Sequence, residues 1–213
     1  MRTLSNGKSP ALLEGITPLK KIGIFGGSFN PPHIGHLLIA ERVCEEFSLD
    51  LLMFVPAHIP PHKIGDTHIA PDIHRVNMLN EAIRNNPLFM VSIIEIDRKG
   101  VSYTAKTLEE IKTNHPNDEL YFLLGSDSLA EFDTWKNPDV ICALAQLICV
   151  RREHASEFNI QPEYAARIQY AHTPVIEISS TEIRNRIEHG KPIHYYVTCE
   201  VAAYIEKNNL YKE

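Results

Sequence analysis

Gly26-Gly27-Ser28-Phe29-Asn30-Pro31-Pro32-His33-Ile34-Gly35-His36 is the stretch on which the fold turns. It follows the apolar run Ile22-Gly23-Ile24-Phe25 and leads into His36–Phe47, where Leu37, Ala40, Val43 and Cys44 recur at helical spacing. An apolar run ended by two glycines reads as a buried parallel strand. A strand–turn–helix of this kind puts its turn at the carboxyl edge of the sheet, where α/β proteins bind ligands. Glycines let the backbone approach a phosphate, and a helix N-terminus offers N–H groups and a favourable dipole. The stretch is neither a GxGxxG fingerprint nor a Walker loop, since no Gly-Lys-Ser/Thr follows. It presents two imidazoles three residues apart on one side of a helical turn. One such histidine alone is more often a cap or a surface residue, but the whole arrangement outweighs that reading.

Working outward, similar apolar runs recur at Leu51–Val55, Met90–Ile96, Leu120–Leu124, Gln146–Val150 and Val175–Ile178. Helical patterns lie between them. Asp72–Arg84 sets Ile73, Val76, Leu79 and Ile83 on one face, and Thr104–Thr113, Ser180–His189 and Glu200–Asn208 follow. Strand alternating with helix predicts a Rossmann-like, doubly wound parallel sheet in three α/β/α layers. Residues 1–20, with Gly7, Pro10, Gly15 and Pro18 and no periodicity, read as a flexible leader before a single domain at 21–213. Pro56–Asp72 holds four prolines together with His58, His62 and His68. That is too long for an ordinary connection and predicts a functional loop.

The composition narrows the partners. A chain of 213 residues with 44% hydrophobic content builds one substantial core. A net charge of −6 argues against a nucleic-acid polymer, which needs a basic surface, but leaves room for a small anion held by local donors. The four cysteines form no CxxC pair, and Cys142 and Cys149 sit in apolar surroundings. With no secretory or membrane-spanning stretch, the expectation is a cytoplasmic, reduced protein. The eleven histidines show no Cys/His or HxxxH grouping, so no protein-bound metal is expected.

A second segment, Ile178-Ser179-Ser180-Thr181-Glu182-Ile183-Arg184, repeats the logic of the first: Ser and Thr cap a helix and Arg184 sits one turn in. Hydroxyls, N–H groups and a guanidinium then converge on an anion. Together, the His33-Ile34-Gly35-His36 and Ile-Ser-Ser-Thr-x-Ile-Arg segments resemble the signatures of the nucleotidyltransferase superfamily. Four further segments are similar to those of the bacterial nicotinate-nucleotide adenylyltransferase family: Pro60-Pro61-His62-Lys63, Ser102-Tyr103-Thr104, Gly125-Ser126-Asp127 and Phe132-Asp133-Thr134-Trp135. The resemblance runs from about Lys21 to Tyr211.

It implies transfer of AMP from ATP to nicotinate mononucleotide in NAD biosynthesis, with Mg²⁺ delivered on ATP; the sequence leaves the oligomeric state open between monomer and homodimer. His33, His36 and Arg184 are the implied catalytic residues. Gly26, Gly27, Ser28, Phe29, Gly35, Gly125, Asp127, Ser179, Ser180 and Thr181 are implied on the ATP side, and Lys63, Tyr103, Thr104, Trp135 and Arg152 on the acceptor side. The sequence departs from the family at Lys106 (usually Asp), at Glu153-His154 (usually Pro-Gly) and at Thr198 (usually Pro). Nicotinamide mononucleotide or phosphopantetheine as acceptor, and a nucleotide-binding sensor without catalysis, are the competing readings.

Overall fold

The computed structural model describes residues 19–61, 68–150, 161–174 and 176–212. Six strands form one sheet: β1 (Lys21–Gly27), β2 (Leu51–Pro56), β3 (Phe89–Val91), β4 (Glu119–Gly125), β5 (Ala145–Val150) and β6 (Ile168–Ala171). All pair in parallel, in the order β3-β2-β1-β4-β5-β6. The chain winds outward from β1 in one direction and from β4 in the other. The crevice between these two carboxyl ends is the switch point at which such sheets hold ligands.

Alternation along the central strands divides the core. Ile22, Ile24, Leu120 and Phe122 face α4 (Thr104–Asn114), α5 (Ser126–Ala130) and α6 (Pro138–Leu144). Leu52, Phe54, Leu123 and Ile148 face α1 (Ile34–Phe47) and α2 (Asp72–Ile83). Gly23 lies under Leu49 and Leu52; a β-carbon there would meet Leu49 Cδ1 at 2.7 Å, so the strand keeps a glycine to let that layer settle. A third cluster, with Met78, Ile183, Val201 and Ile205, joins α2 to α8 (Ser180–Glu188) and α9 (Cys199–Lys207). Short helices α3 (Ile94–Arg98) and α7 (Pro162–Ala165) and a 3-10 turn at Phe132–Thr134 complete the molecule among the described residues. No helix among them is long and apolar enough to cross a membrane.

Three expectations need correction. The run Met90–Ile96 pairs only as far as Val91, and Ile94–Arg98 turns helical with Glu95 and Asp97 in its first turn. Acidic side chains suit a helix N-terminus, and an edge strand needs only a few residues to pair. The last expected strand, Val175–Ile178, lies outside the described residues at Val175, and from 176 to 179 the chain has no regular structure, with Ile178 packed on the third cluster. The sixth strand is instead Ile168–Ala171, an edge strand with two exposed residues, so it lacks the doubly buried run that reveals central strands. On α2, Ile73 is 62% exposed whereas Arg75 is wholly buried. The apolar face is therefore rotated, because a long-range polar network claims Arg75. The proposed leader lies outside the described residues up to residue 18.

Candidate active site

The imidazole loop leaves β1 at the switch point and enters α1. His33 is the N-cap, in extended backbone, and is buried. Its N–H donates to His36 Nδ1 at 3.2 Å, one arm of a capping box built from two histidines. An imidazole nitrogen that accepts this bond carries no proton, so the neutral His36 ring holds its hydrogen on Nε2. The two rings stack, with centroids 3.6 Å apart and planes 24° apart, and Phe29 meets His36 edge-on at 5.0 Å. Gly35 has a packing reason: a β-carbon there would lie 3.0 Å from His33 Nδ1 and 3.4 Å from Ile176. Phe29 itself adopts φ 47, a left-handed backbone, and is buried against Gly27.

The second signature braces the first from 150 residues further on. Ser179 caps α8 by accepting from the Glu182 N–H at 3.1 Å. The Ser180 hydroxyl donates to the Pro31 carbonyl at 2.8 Å, and Arg184 donates to the Asn30 carbonyl at 2.9 Å and approaches Thr181 Oγ1 at 3.4 Å. Part of the donor set thus holds the loop in shape.

Beside this loop opens a cavity of about 810 Å³. Gly26, Gly27 and Ser28 form one wall; Tyr103, Thr104, Asp127 and Trp135 line the others. Trp135 is held by edge and tilted contacts with Phe122 and Phe132, at 6.1 and 5.6 Å. Tyr103 precedes α4 as its N-cap, without a side-chain cap for the helix. Lys136 lies over the Tyr103 ring at 4.3 Å. Ser102 stitches this segment to the start of the long loop: its hydroxyl accepts from His58 N–H at 3.0 Å, and its own N–H donates to the Ile59 carbonyl at 2.9 Å. Glu95 and Thr107 also line the cavity: the buried Glu95 carboxylate accepts from the Thr107 hydroxyl, which in turn takes Arg98 at 3.0 Å.

The expected residues therefore fall into two adjoining groups. His33, His36, Gly35, Phe29, Ser179, Ser180, Thr181 and Arg184 gather around the loop, and Tyr103, Thr104, Asp127 and Trp135 around the cavity, with Gly26, Gly27 and Ser28 shared. Gly125 ends β4 just before α5, with open space where a side chain would stand. Lys63 and Arg152, and His62 with them, lie outside the described residues. Sequence reasoning missed Asn30 and Arg75. Arg75 donates to the Ser28 carbonyl at 2.9 Å, the Ala70 carbonyl at 3.0 Å and the Asp72 carboxylate, which also meets His58. A charge on the apolar stripe of a helix was the available signal.

A phosphate-type loop at the switch point, locked by a distant Ser/Arg segment, defines a nucleotidyltransferase fold. Residues 24–186 match the cytidylyltransferase-like family. The nicotinate-nucleotide adenylyltransferase of Bacillus subtilis (strain 168) is 41% identical over 194 residues, covering 91% of this chain and all 100% of that protein. A "probable nicotinate-nucleotide adenylyltransferase" of Salinibacter ruber is 42% identical over 191 residues, 90% of this chain and 97% of its own length. The solved Plasmodium falciparum nicotinic acid mononucleotide adenylyltransferase complexed with NaAD shares the fold, with TM-score 0.71 at 24% identity over 90% of this chain and 97% of that one. The chain belongs to the nicotinate-nucleotide adenylyltransferase family.

Proposed function

We propose that this chain joins nicotinate mononucleotide to the AMP part of ATP, forming nicotinate adenine dinucleotide and releasing pyrophosphate. One observation carries the reading: the two signature segments meet through Ser180 and Arg184 at the loop whose glycines also wall the aromatic cavity. The attacking atom is a phosphate oxygen, ionised at neutral pH, so no general base is required. Catalysis then rests on alignment and on stabilising charge around the α-phosphorus and the departing pyrophosphate. In this reading His36 offers Nε2–H, with His33 stacked against it, and Arg184 and Lys63 supply positive charge. Gly26, Gly27, Ser28 and the hydroxyls of Ser179–Thr181 border the ATP side. Mg²⁺ arrives as part of the ATP substrate, with Asp127 the carboxylate suited to its water shell or to the ribose.

On the acceptor side, Trp135 offers a flat face to the pyridine ring. The amino end of α4, which begins at Thr104 on the cavity wall, favours an anion through its dipole and first-turn N–H groups. A carboxylate matches that end better than a carboxamide, which also presents donors. Arg152 is assigned to the acceptor phosphate. The substrates and the reduced cysteines together point to the cytoplasm.

The test is pyrophosphate release from ATP with nicotinate mononucleotide, nicotinamide mononucleotide or phosphopantetheine in turn. The acid nucleotide is expected to be the fastest acceptor; no release with any of them overturns the reading in favour of a sensor.

A further inference from the structure

Asn30 is only 3% exposed, in the middle of the loop that carries the imidazoles. A buried carboxamide must find partners for its donor and its acceptor, since either one left unpaired keeps the full cost of its desolvation. Its Nδ2 donates to the His68 carbonyl at 2.9 Å, and its Oδ1 accepts from the Ala70 N–H at 3.0 Å. The same oxygen accepts from the Tyr211 hydroxyl at 2.8 Å, across 181 positions of chain. The Asn30 carbonyl takes Arg184. One residue therefore touches the far end of the long acceptor-side loop, the second signature and the segment after α9.

Tyr211 is set for this contact. Its backbone sits at φ 62, a left-handed conformation that tyrosine seldom adopts and that surrounding contacts must hold in place. Burial pushes its phenol well above the ordinary range against the opposing pull of Arg184 and Arg75, so it remains a donor. Arg75 in turn grips the carbonyls of Ser28 and Ala70. The loop end at Ala70 is thus pinned through both its N–H and its carbonyl to residues of the imidazole loop or to the arginine that holds it.

We propose that Tyr211 is a positioning residue for adenylyl transfer, whose hydroxyl fixes the Asn30 carboxamide and so couples the acceptor loop at His68–Ala70 to the Arg184 clamp on the ATP side. The inference rests on the function proposed above. Its consequence is cooperative binding: an acceptor seated against Pro60 and Pro61 of the loop favours the same arrangement of Asn30 that holds Arg184, so each substrate tightens the other by the same factor.

The experiment compares the wild type with Tyr211→Phe, Asn30→Ala and the double variant. Each is assayed for turnover, for the dissociation constant of a non-hydrolysable ATP analogue with and without saturating nicotinate mononucleotide, and for thermal unfolding. The wild type is expected to bind the analogue at least about fivefold more tightly when acceptor is present. Tyr211→Phe, which removes one oxygen and keeps the ring, is expected to bring that factor to within about twofold of unity and to lower kcat about tenfold, while each substrate alone binds nearly as before. In the Asn30→Ala background the Phe substitution is expected to add nothing, because Tyr211 acts through Asn30.

Coupling absent from the wild type, coupling intact in Tyr211→Phe, or fully additive effects would each overturn the inference. A lower unfolding temperature with unchanged coupling would do so too, since that is the mark of a merely structural contact. A wild type that releases no pyrophosphate with nicotinate mononucleotide sinks the adenylyl-transfer reading and this inference with it. A working wild type with insensitive variants sinks this inference alone.

Discussion

A β-carbon at Gly35 would press on the His33 ring at 3.0 and 3.1 Å, so Gly35→Ala displaces an imidazole and does not merely fill space. Placed beside His36→Ala, it separates two roles. On the proposed mechanism His36→Ala removes a donor to developing charge, and it is expected to lower kcat about 100-fold or more with little change in unfolding temperature. Gly35→Ala is expected to lower kcat by a smaller factor, through the shifted His33, and near-wild-type turnover in His36→Ala would remove that residue from the mechanism. Trp135 is tested by a different kinetic split. Its indole is braced by Phe122 and Phe132 and faces the cavity. Trp135→Ala should therefore raise KM for the pyridine nucleotide about tenfold or more and leave KM for ATP within about twofold. An equal rise in both would make the indole a structural wedge.

The helices show how much an element reveals of itself. Helices α1, α2, α4, α8 and α9 are read within a residue or two from periodicity and caps, and β1, β2, β4 and β5 from their apolar runs. Each of these elements buries a face whose pattern is local. β6 and the truncated β3 escape because an edge strand buries less and needs no such run. The signature residues of the site are legible for the same local reason. Asn30 and Tyr211 are not, because their partners lie far along the chain, and Arg75 is not, because two of its three acceptors are backbone carbonyls, which any residue supplies. Arg75 makes the point energetically. Arg75→Ala leaves the Ser28 and Ala70 carbonyls and Asp72 without their cation and opens a void in a wholly buried site. Urea denaturation is expected to register a loss of about 3–5 kcal/mol. Arg75→Lys, which keeps the charge but cannot serve all three acceptors, should fall between it and the wild type. A loss of under about 1 kcal/mol for Arg75→Ala would show that water replaces the network.

At the scale of the whole molecule, alkaline pH tests the packing of both helical layers. Burial, helped by Glu41, pushes the Cys44 thiol in α1 from 9.0 up to about 12. The hydrogen bond to Asp139, with burial, raises the Tyr164 hydroxyl in α7 from 10.0 to about 12. Both groups ionise more easily in the unfolded chain. Their contribution is therefore complete below pH 9 and is lost as pH climbs to about 12, so stability falls across that window. Denaturation curves at pH 8 and 10.5 should show the decline, and a Cys44→Ala, Tyr164→Phe variant should show a shallower one. An unchanged slope would mean that neither group is protected in the native state. The bond between Arg184 and the Asn30 carbonyl, 154 positions apart, has a further bearing on how the protein is made. As the chain leaves the ribosome, the imidazole loop emerges early and stays unbraced while most of the sheet is synthesised. That contact cannot form until the helix bearing Arg184 has followed the loop out. The brace on the imidazole loop is thus a late event in synthesis, made only after all six strands have been translated.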